Sequence, residues 1–439
     1  MSTSRFVTPA LAHNDRARPP AVVAGAVCLL SFATFWAAQR FARVSMIDLT
    51  VYRAEGATVL SGGDLYAMRV TAANLPTTYP PFAALLFTPL SLSDLNLLRV
   101  LATAGNLALL VALVHLSLRL AGGSRPKAAL WSAAAAVWCE PVWTTLRYGQ
   151  INLAVAVAVL WDLTRKEEHR WAGVGIGLAT AVKITPGLFV VFLLLAGLSR
   201  GRRAGAYRDD PWLRQAAVAV VAFLAATVGS AVLLPRDSHT FWTRALFDSS
   251  RVGNMEDTAN QSLGGVLARL LHTGAPGAWW GAVAALVAVM GLYTAVDAAL
   301  RGDRARAALT CAVTALLISP ISWSHHWVWC VPLIAFLAVR AAGEGRGRKA
   351  GAWTAGAVFF SYALWAVPHG RHGRSELDQD LGQFVLSASY PVVGLAFVLA
   401  GFGLTNFART YMPGGRDSWD AHATHAHATG EKRQARAKE

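Results

Sequence analysis

The chain has 439 residues, 54% of them hydrophobic and only 15% charged. Its apolar runs repeatedly approach the roughly 20 residues that cross a bilayer, which marks a polytopic helical membrane protein. These runs do not alternate as the roughly 10-residue strands of an outer-membrane barrel must. The formal net charge is +15, but Lys and Arg are strung between apolar segments and form no nucleic-acid-binding module, so no nucleic acid partner is expected.

A polar, Arg-containing start, 1–19, precedes the first apolar run, 21–38. That run is long and lacks a small-residue cleavage site, so it reads as a retained span. The segment after it, 39–79, carries a short interfacial helix from about Ser45 to Leu60, stopped by Gly62-Gly63. Phe82 to Leu90 is too short to span and reads as re-entrant or interfacial. Further spans are expected at roughly 96–118, 128–140, 150–163, 171–183, 187–199, 213–234, 279–300, 305–318, 327–340, 350–367 and 384–406, about twelve in all. Several fall short of a full crossing, so either their ends extend into polar residues or some pairs are broken helices.

Cytoplasmic loops carry the excess of Lys and Arg. The basic groups Arg119/Arg125/Lys127, Arg165/Lys166/Arg170, Arg200/Arg202/Arg203, Arg301/Arg304/Arg306 and Arg340/Arg346/Arg348/Lys349, with the basic tail, put both termini in the cytoplasm. Two long segments, 39–79 and 235–278, then lie on the outer face of the membrane. Residues 20–407 form one transmembrane domain. The tail, 408–439, is too poor in apolar residues to pack and is expected to be disordered. Cys28, Cys139, Cys311 and Cys330 lie in or beside apolar segments with no paired motif, and read as small core residues.

Five polar motifs fall at outer junctions. On a helical period Asp48, Tyr52 and Glu55 share one face. A partly buried carboxylate there can serve as a general base; the alternative is an ion pair of Asp48 with Arg40, Arg43 or Arg53. Thr78-Tyr79-Pro80-Pro81 is a rigid turn. Arg147-Tyr148-Gly149-Gln150-Ile151-Asn152 gathers polar groups in an apolar chain, suited to a polar, anionic ligand or to capping a helix. Lys183-Ile184-Thr185-Pro186 interrupts an apolar stretch; its lysine either binds phosphate or snorkels to the surface. In Ser319-Pro-Ile-Ser-Trp323-Ser-His325-His326-Trp327, adjacent histidines point about 100° apart and do not read as a metal pair. One of them can face a cavity, and the tryptophans suit a membrane interface or a sugar face.

In this order the motifs resemble glycosyltransferase family 87, polyprenol-phosphate-mannose-dependent mannosyltransferases of the GT-C superfamily, especially members that build phosphatidylinositol mannosides. The resemblance covers roughly 20–405 and implies an all-α GT-C bundle of about twelve transmembrane helices in the plasma membrane, with the active site on the periplasmic side. It implies a polyprenyl-phosphate-mannose donor, a phosphatidylinositol mannoside acceptor and transfer with inversion to a mannose 2-hydroxyl. By analogy Asp48 is the base and His326 joins it in the catalytic group. Lys183, Arg147 and His325 would hold the donor phosphate, and Tyr52, Glu55, Tyr79, Gln150, Asn152 and Trp323 the sugars. No cofactor or metal is expected, although Glu55 or Asp64 beside Asp48 leaves room for a cation. Other readings are a GT-C enzyme with another polyprenyl-phosphate sugar or another acceptor (lipomannan, arabinan, protein), and a lipid-linked sugar transporter or flippase. Against the transporter, polar residues cluster on one side and no repeat is evident.

Overall fold

The structure is a computed structural model that describes residues 21–411, except 124–125, 167–168, 206, 209, 343–345, 368 and 370–373. The predicted N-terminal tail and all of the C-terminal tail beyond Tyr411 lie outside the described residues. The fold is almost wholly helical. The first third comprises α1 (Ala21–Phe41), α2 (Ile47–Leu60), α3 (Pro81–Phe87), α4 (Leu95–Leu120), α5 (Pro126–Ala136) and α6 (Glu140–Tyr148). There follow α7 (Asn152–Leu163), α8 (Val174–Val182), α9 (Gly187–Ala204), α10 (Pro211–Leu233), α11 (Pro235–Thr243) and α12 (Leu263–Leu270). The last are α13 (Ala278–Leu300), α14 (Arg304–Ile318), α15 (Cys330–Ala341), α16 (Arg346–Phe360), α17 (Leu381–Ser387) and α18 (Ser389–Tyr411). Between α2 and α3, β1 (Arg69–Val70) pairs antiparallel with β2 (Leu75–Pro76).

Each predicted apolar segment overlaps one of these helices. Among the described residues four helices, α1, α4, α10 and α13, are long and apolar enough to cross a membrane, or five if α17 and Ser389–Gly403, bent by 64°, count as one span. The predicted twelve exceeds this because α7, for example, has 12 residues and rises only about 18 Å, short of a roughly 30 Å hydrocarbon layer. Val221, Leu224, Val228 and Val232 of α10, and Leu286 and Val289 of α13, are exposed. Such outward apolar rows suit lipid, and the chain is a multi-pass membrane protein. The last helix runs to Tyr411, past the predicted boundary at 407.

Local chemistry sets the helix starts. Asp94 accepts from the amides of Asn96 and Leu97 at the head of α4, and Asp210 from those of Trp212 and Leu213 ahead of Pro211 in α10. Small residues set the close crossings: a Cβ on Gly291 of α13 would meet the Thr314 hydroxyl of α14, and one on Gly177 of α8 would lie 2.3 Å from the Ala219 carbonyl of α10. All four cysteines are free and buried.

Two constraints position the first loop and its neighbours. The expected re-entrant segment is α3 followed by a 3-10 turn, Thr88–Leu92, folded back onto α2. At the crossing a Cβ on Gly56 would lie 2.3 Å from the Phe87 carbonyl oxygen. Deeper, the fully buried Glu140 at the head of α6 accepts hydrogen bonds from Thr144 (2.7 Å), Ser324 (3.0 Å), Trp365 (3.0 Å) and Tyr390 (2.7 Å). It ties α6 to the Ser324–Trp329 turn, the Ala363–Ala366 turn and α18.

Gly56→Val overpacks the α2–α3 crossing and is expected to cost about 1–3 kcal/mol, read as a lower melting temperature in detergent. Glu140→Leu leaves its donors without an acceptor, at about 1–3 kcal/mol for each one stranded. Glu140→Gln, which keeps an acceptor, should melt between that variant and wild type.

Candidate functional site

The cavity that gathers the sequence motifs has a volume of about 1250 Å³ and is lined by Asp48, Tyr52, Glu55, Tyr79, Gln150, Lys183, Trp323, His325 and His326. Asp48 sits in the first turn of α2, one helical turn from Tyr52 and two from Glu55. The backbone before it is set by Met46 in the left-handed region, φ 52°. Met46 and Leu49 face the other way and pack with Leu98.

The end of α6 delivers the partner of Asp48. Gly149 caps α6 with φ 69° and lies so near α2 that a Cβ there would be 2.8 Å from that of Leu49, so only glycine suits both the turn and the approach. The next residue, Gln150, donates through Nε2 to Asp48 Oδ2 at 2.7 Å. Its Oε1 meets the Tyr52 hydroxyl at 2.7 Å and the Tyr79 hydroxyl at 3.0 Å, and the two phenols stand 3.0 Å apart. Two hydroxyl protons thus serve three contacts, and phenols on Oε1 leave only the amide N–H₂ for the carboxylate. Burial raises the Asp48 pKa to about 6, held back by the Gln150 hydrogen bond and the charge of Lys183. Asp48 is therefore a stronger base than a solvated aspartate yet ionised at neutral pH. The alternative ion pair loses one candidate partner to the backbone, since Arg53 donates to the Ser93 carbonyl at 3.2 Å.

Glu55 is fully buried, and neither carboxyl oxygen has a hydrogen-bond partner among the described residues. The Thr77 hydroxyl lies beside it, outside hydrogen-bond geometry, and holds down a pKa that burial, with some help from Asp48, pushes up to about 8. Asp64 spends one carboxylate oxygen on the amides of Tyr66 and Ala67 at 2.9 Å each. Among the described residues no group of three or more His, Cys, Asp or Glu is arranged to hold a metal ion.

The opposite wall is basic. Lys183 lies in extended backbone where α8 ends, three residues before Pro186 opens α9. Its ammonium donates to Asn152 Oδ1 at 2.9 Å and stands 5.7 Å from the centre of the Tyr79 ring. Asn152 Nδ2 in turn donates to the His325 carbonyl at 2.9 Å, and the Thr145 hydroxyl donates to the same oxygen at 2.8 Å. Both histidines line the cavity, edge to face at 4.8 Å. Burial, with the Lys183 charge adding to it, holds both imidazoles well below 6.5. They are neutral N–H donors and acceptors, whereas burial lowers the pKa of Lys183 to about 7 against the pull of Asp48, and an anionic ligand beside it favours the ammonium form.

Two of the expected site residues do not line this cavity. Arg147 is exposed in the last turn of α6 and does not line the cavity, because the turn that brings Gln150 inward leaves it on the outer side. Asn152 is buried behind Lys183 and spends its amide on Lys183 and the His325 backbone, so it positions the basic wall. Sequence reasoning missed Glu140, whose place before Pro141 at the end of an apolar run was the available signal. It also missed Arg251, Glu256, Asp257, Arg374 and Glu376, which line the cavity as well. There Arg374 pairs with Glu256 at 2.7 Å, and buried Arg269 ties the loop down through the Asp257 (2.8 Å) and Ser387 (3.1 Å) carbonyls. These residues are spread across loops and share no local pattern.

The described geometry can be set beside known proteins. The family model described as Glycosyltransferase family 87 matches residues 78–320, which span the Tyr79, Gln150 and Lys183 motifs. A curated protein of Mycobacterium tuberculosis (strain CDC 1551 / Oshkosh), named polyprenol-phosphate-mannose-dependent alpha-(1-2)-phosphatidylinositol pentamannoside mannosyltransferase, is 35% identical over 364 residues, 79% of each chain. One of Mycolicibacterium smegmatis (strain ATCC 700084 / mc(2)155), named polyprenol-phosphate-mannose-dependent alpha-(1-2)-phosphatidylinositol mannoside mannosyltransferase, is 33% identical over 414 residues, 86% of this chain and 87% of its own. Among solved structures, ArnT from Cupriavidus metallidurans bound to undecaprenyl phosphate aligns over 88% of this chain and 77% of its own, with 16% identity and a TM-score of 0.41. On the family match and these relatives, the chain belongs to glycosyltransferase family 87.

Proposed function

We propose that the protein is an inverting mannosyltransferase of the GT-C type that moves mannose from polyprenyl-phosphate-mannose to the 2-hydroxyl of a mannose on a phosphatidylinositol mannoside. The observation that carries this reading is the pairing, across one cavity, of a desolvated carboxylate fixed by Gln150 with a wall built on Lys183. The relatives' names supply the donor and acceptor classes. Asp48 takes the proton of the acceptor hydroxyl as its oxygen bonds to the anomeric carbon. The bond from that carbon to the phosphate oxygen breaks on the opposite face, and polyprenyl phosphate leaves with the electron pair. A phosphate leaving group needs charge stabilisation more than an acid, and Lys183 with the N–H groups of His325 and His326 supplies it. Tyr52, Tyr79, Glu55 and Trp323 face the sugars.

This reading places the cavity, with the 39–79 and 235–278 segments, on the periplasmic side of the plasma membrane and both termini in the cytoplasm, by the distribution of Lys and Arg. A single transmembrane catalytic domain over 20–407 fits it. So do about twelve crossings, if shorter helices such as α8 and α9 cross with the breaks between them.

Purified protein in detergent should transfer mannose from synthetic polyprenyl-phosphate-mannose to short phosphatidylinositol mannosides, with or without a chelator. Absence of product from folded wild-type protein would overturn the assignment in favour of another polyprenyl-phosphate sugar. Asp48→Asn should lower kcat by about 10²–10⁴ with melting temperature retained; wild-type turnover would remove Asp48 from the base role. In wild type, kcat/KM should fall about tenfold per pH unit below about 6, the pKa to which burial raises Asp48, as its base form is lost. Lys183→Ala should reduce kcat/KM for the donor by about 10², seen mostly when the donor is varied.

A further inference from the structure

Glu55 is the one carboxyl of the cavity's catalytic face that the transfer chemistry does not use. It lies seven residues after Asp48 on the same face of α2, so the two side chains leave the helix about 10 Å apart along its axis. That is the reach of two linked pyranose rings. Its surroundings lead away from the basic wall: Thr77 and Tyr66 of the first loop stand near it. Arg251 braces that loop by donating to the Tyr66 carbonyl at 2.8 Å and the Thr77 carbonyl at 3.3 Å. Arg251 itself lines the cavity.

We propose that Glu55 is a specificity-determining residue that hydrogen-bonds the second mannose of the acceptor, so that the protein selects acceptors ending in at least two consecutive mannoses. The inference rests on the acceptor reading given above. With the terminal mannose held at Asp48, a chain laid along α2 brings its next ring to Glu55, and the rest of the headgroup continues toward Arg251. Both Glu55 oxygens are buried and lack a partner among the described residues, a costly state that a vicinal pair of sugar hydroxyls relieves. Burial favours the neutral acid, with a pKa of about 8, so the group both donates to one hydroxyl and accepts from another. An acceptor without the second ring leaves that buried acid unsatisfied, and sites of this design discriminate strongly against the shorter ligand.

The test is calorimetric binding of an alkyl α-mannoside and the corresponding alkyl α-mannobioside to the full chain in detergent, with melting temperatures and mannosyl transfer followed on the same preparations. Wild type should prefer the disaccharide by about tenfold or more. Glu55→Gln, which keeps a donor and an acceptor, should retain the preference, and Glu55→Ala should bring the ratio close to one. Glu55→Leu carries the same test should the alanine variant fail to fold. A wild-type ratio near one, or a ratio unchanged in the folded Ala or Leu variant, overturns the proposal. Loss of the preference in Glu55→Gln along with Ala overturns the hydrogen-bonding role. Because binding is read without turnover, a disaccharide preference that depends on Glu55 in a protein that transfers no mannose would overturn the transferase reading alone.

Discussion

The site turns on one amide. Gln150 has two functional ends and one workable orientation, because Tyr52 and Tyr79 occupy its oxygen and leave its N–H₂ for Asp48. That arrangement fixes a largely buried carboxylate without neutralising it, which an arginine would have done, and so preserves basicity. It also fixes three elements, since α2, the turn before α3 and the end of α6 meet at these side chains. Glycine at 149 is the condition for it: a side chain there would hold α6 away from α2 and carry the amide out of reach.

The basic wall follows the same logic of buried polar groups completing one another. Lys183 stands at the break between two short helices, and Asn152 links it to the carbonyl of His325. Glu140 then anchors Ser324 from behind. Lys183, the His325 carbonyl and Ser324 are each held by a group from a distant part of the sequence, which in so apolar a chain is the way to keep such groups buried. Displacing any of the α6 end, the α8–α9 break or the Ser324–Trp329 turn therefore displaces the other two.

Much of this was legible in the sequence, for a physical reason. A polar residue in a long apolar run is costly, so Asp48, Gln150, Lys183 and the His325-His326 pair announce themselves, and helical periodicity places Asp48, Tyr52 and Glu55 on one face. The segment Ser45 to Leu60 was legible as a helix because Gly62-Gly63 ends it. Direction across a turn was not legible: Arg147 and Gln150 are three residues apart, and only the left-handed Gly149 decides that one points out and the other in. Nor was the difference between touching a ligand and holding a residue that does, which is what separates Asn152 from Lys183. Crossing number stayed ambiguous because several helices are too short to span alone, and hydropathy does not say which of them are halves of a broken span. Part of the cavity lining drew on segments 251–257 and 374–376, whose ordinary polar composition carries no signal until folding brings them together.

The placement of Lys183 near both the carboxylate and the opposite wall has a consequence for the energetics of a turnover. Before the proposed transfer the cavity holds one negative charge on Asp48 and one on the phosphodiester. Afterwards Asp48 carries a proton, and the phosphate, now a monoester, takes up the charge Asp48 has lost. The sum is conserved and only its position changes, with the ammonium lying close enough to interact with either location. The reaction is then an internal displacement of charge past the ammonium, and the net charge the buried interior must accommodate is the same before and after transfer. What the cycle does require is an exit for the proton left on Asp48, and until that proton departs the site stays unable to act again.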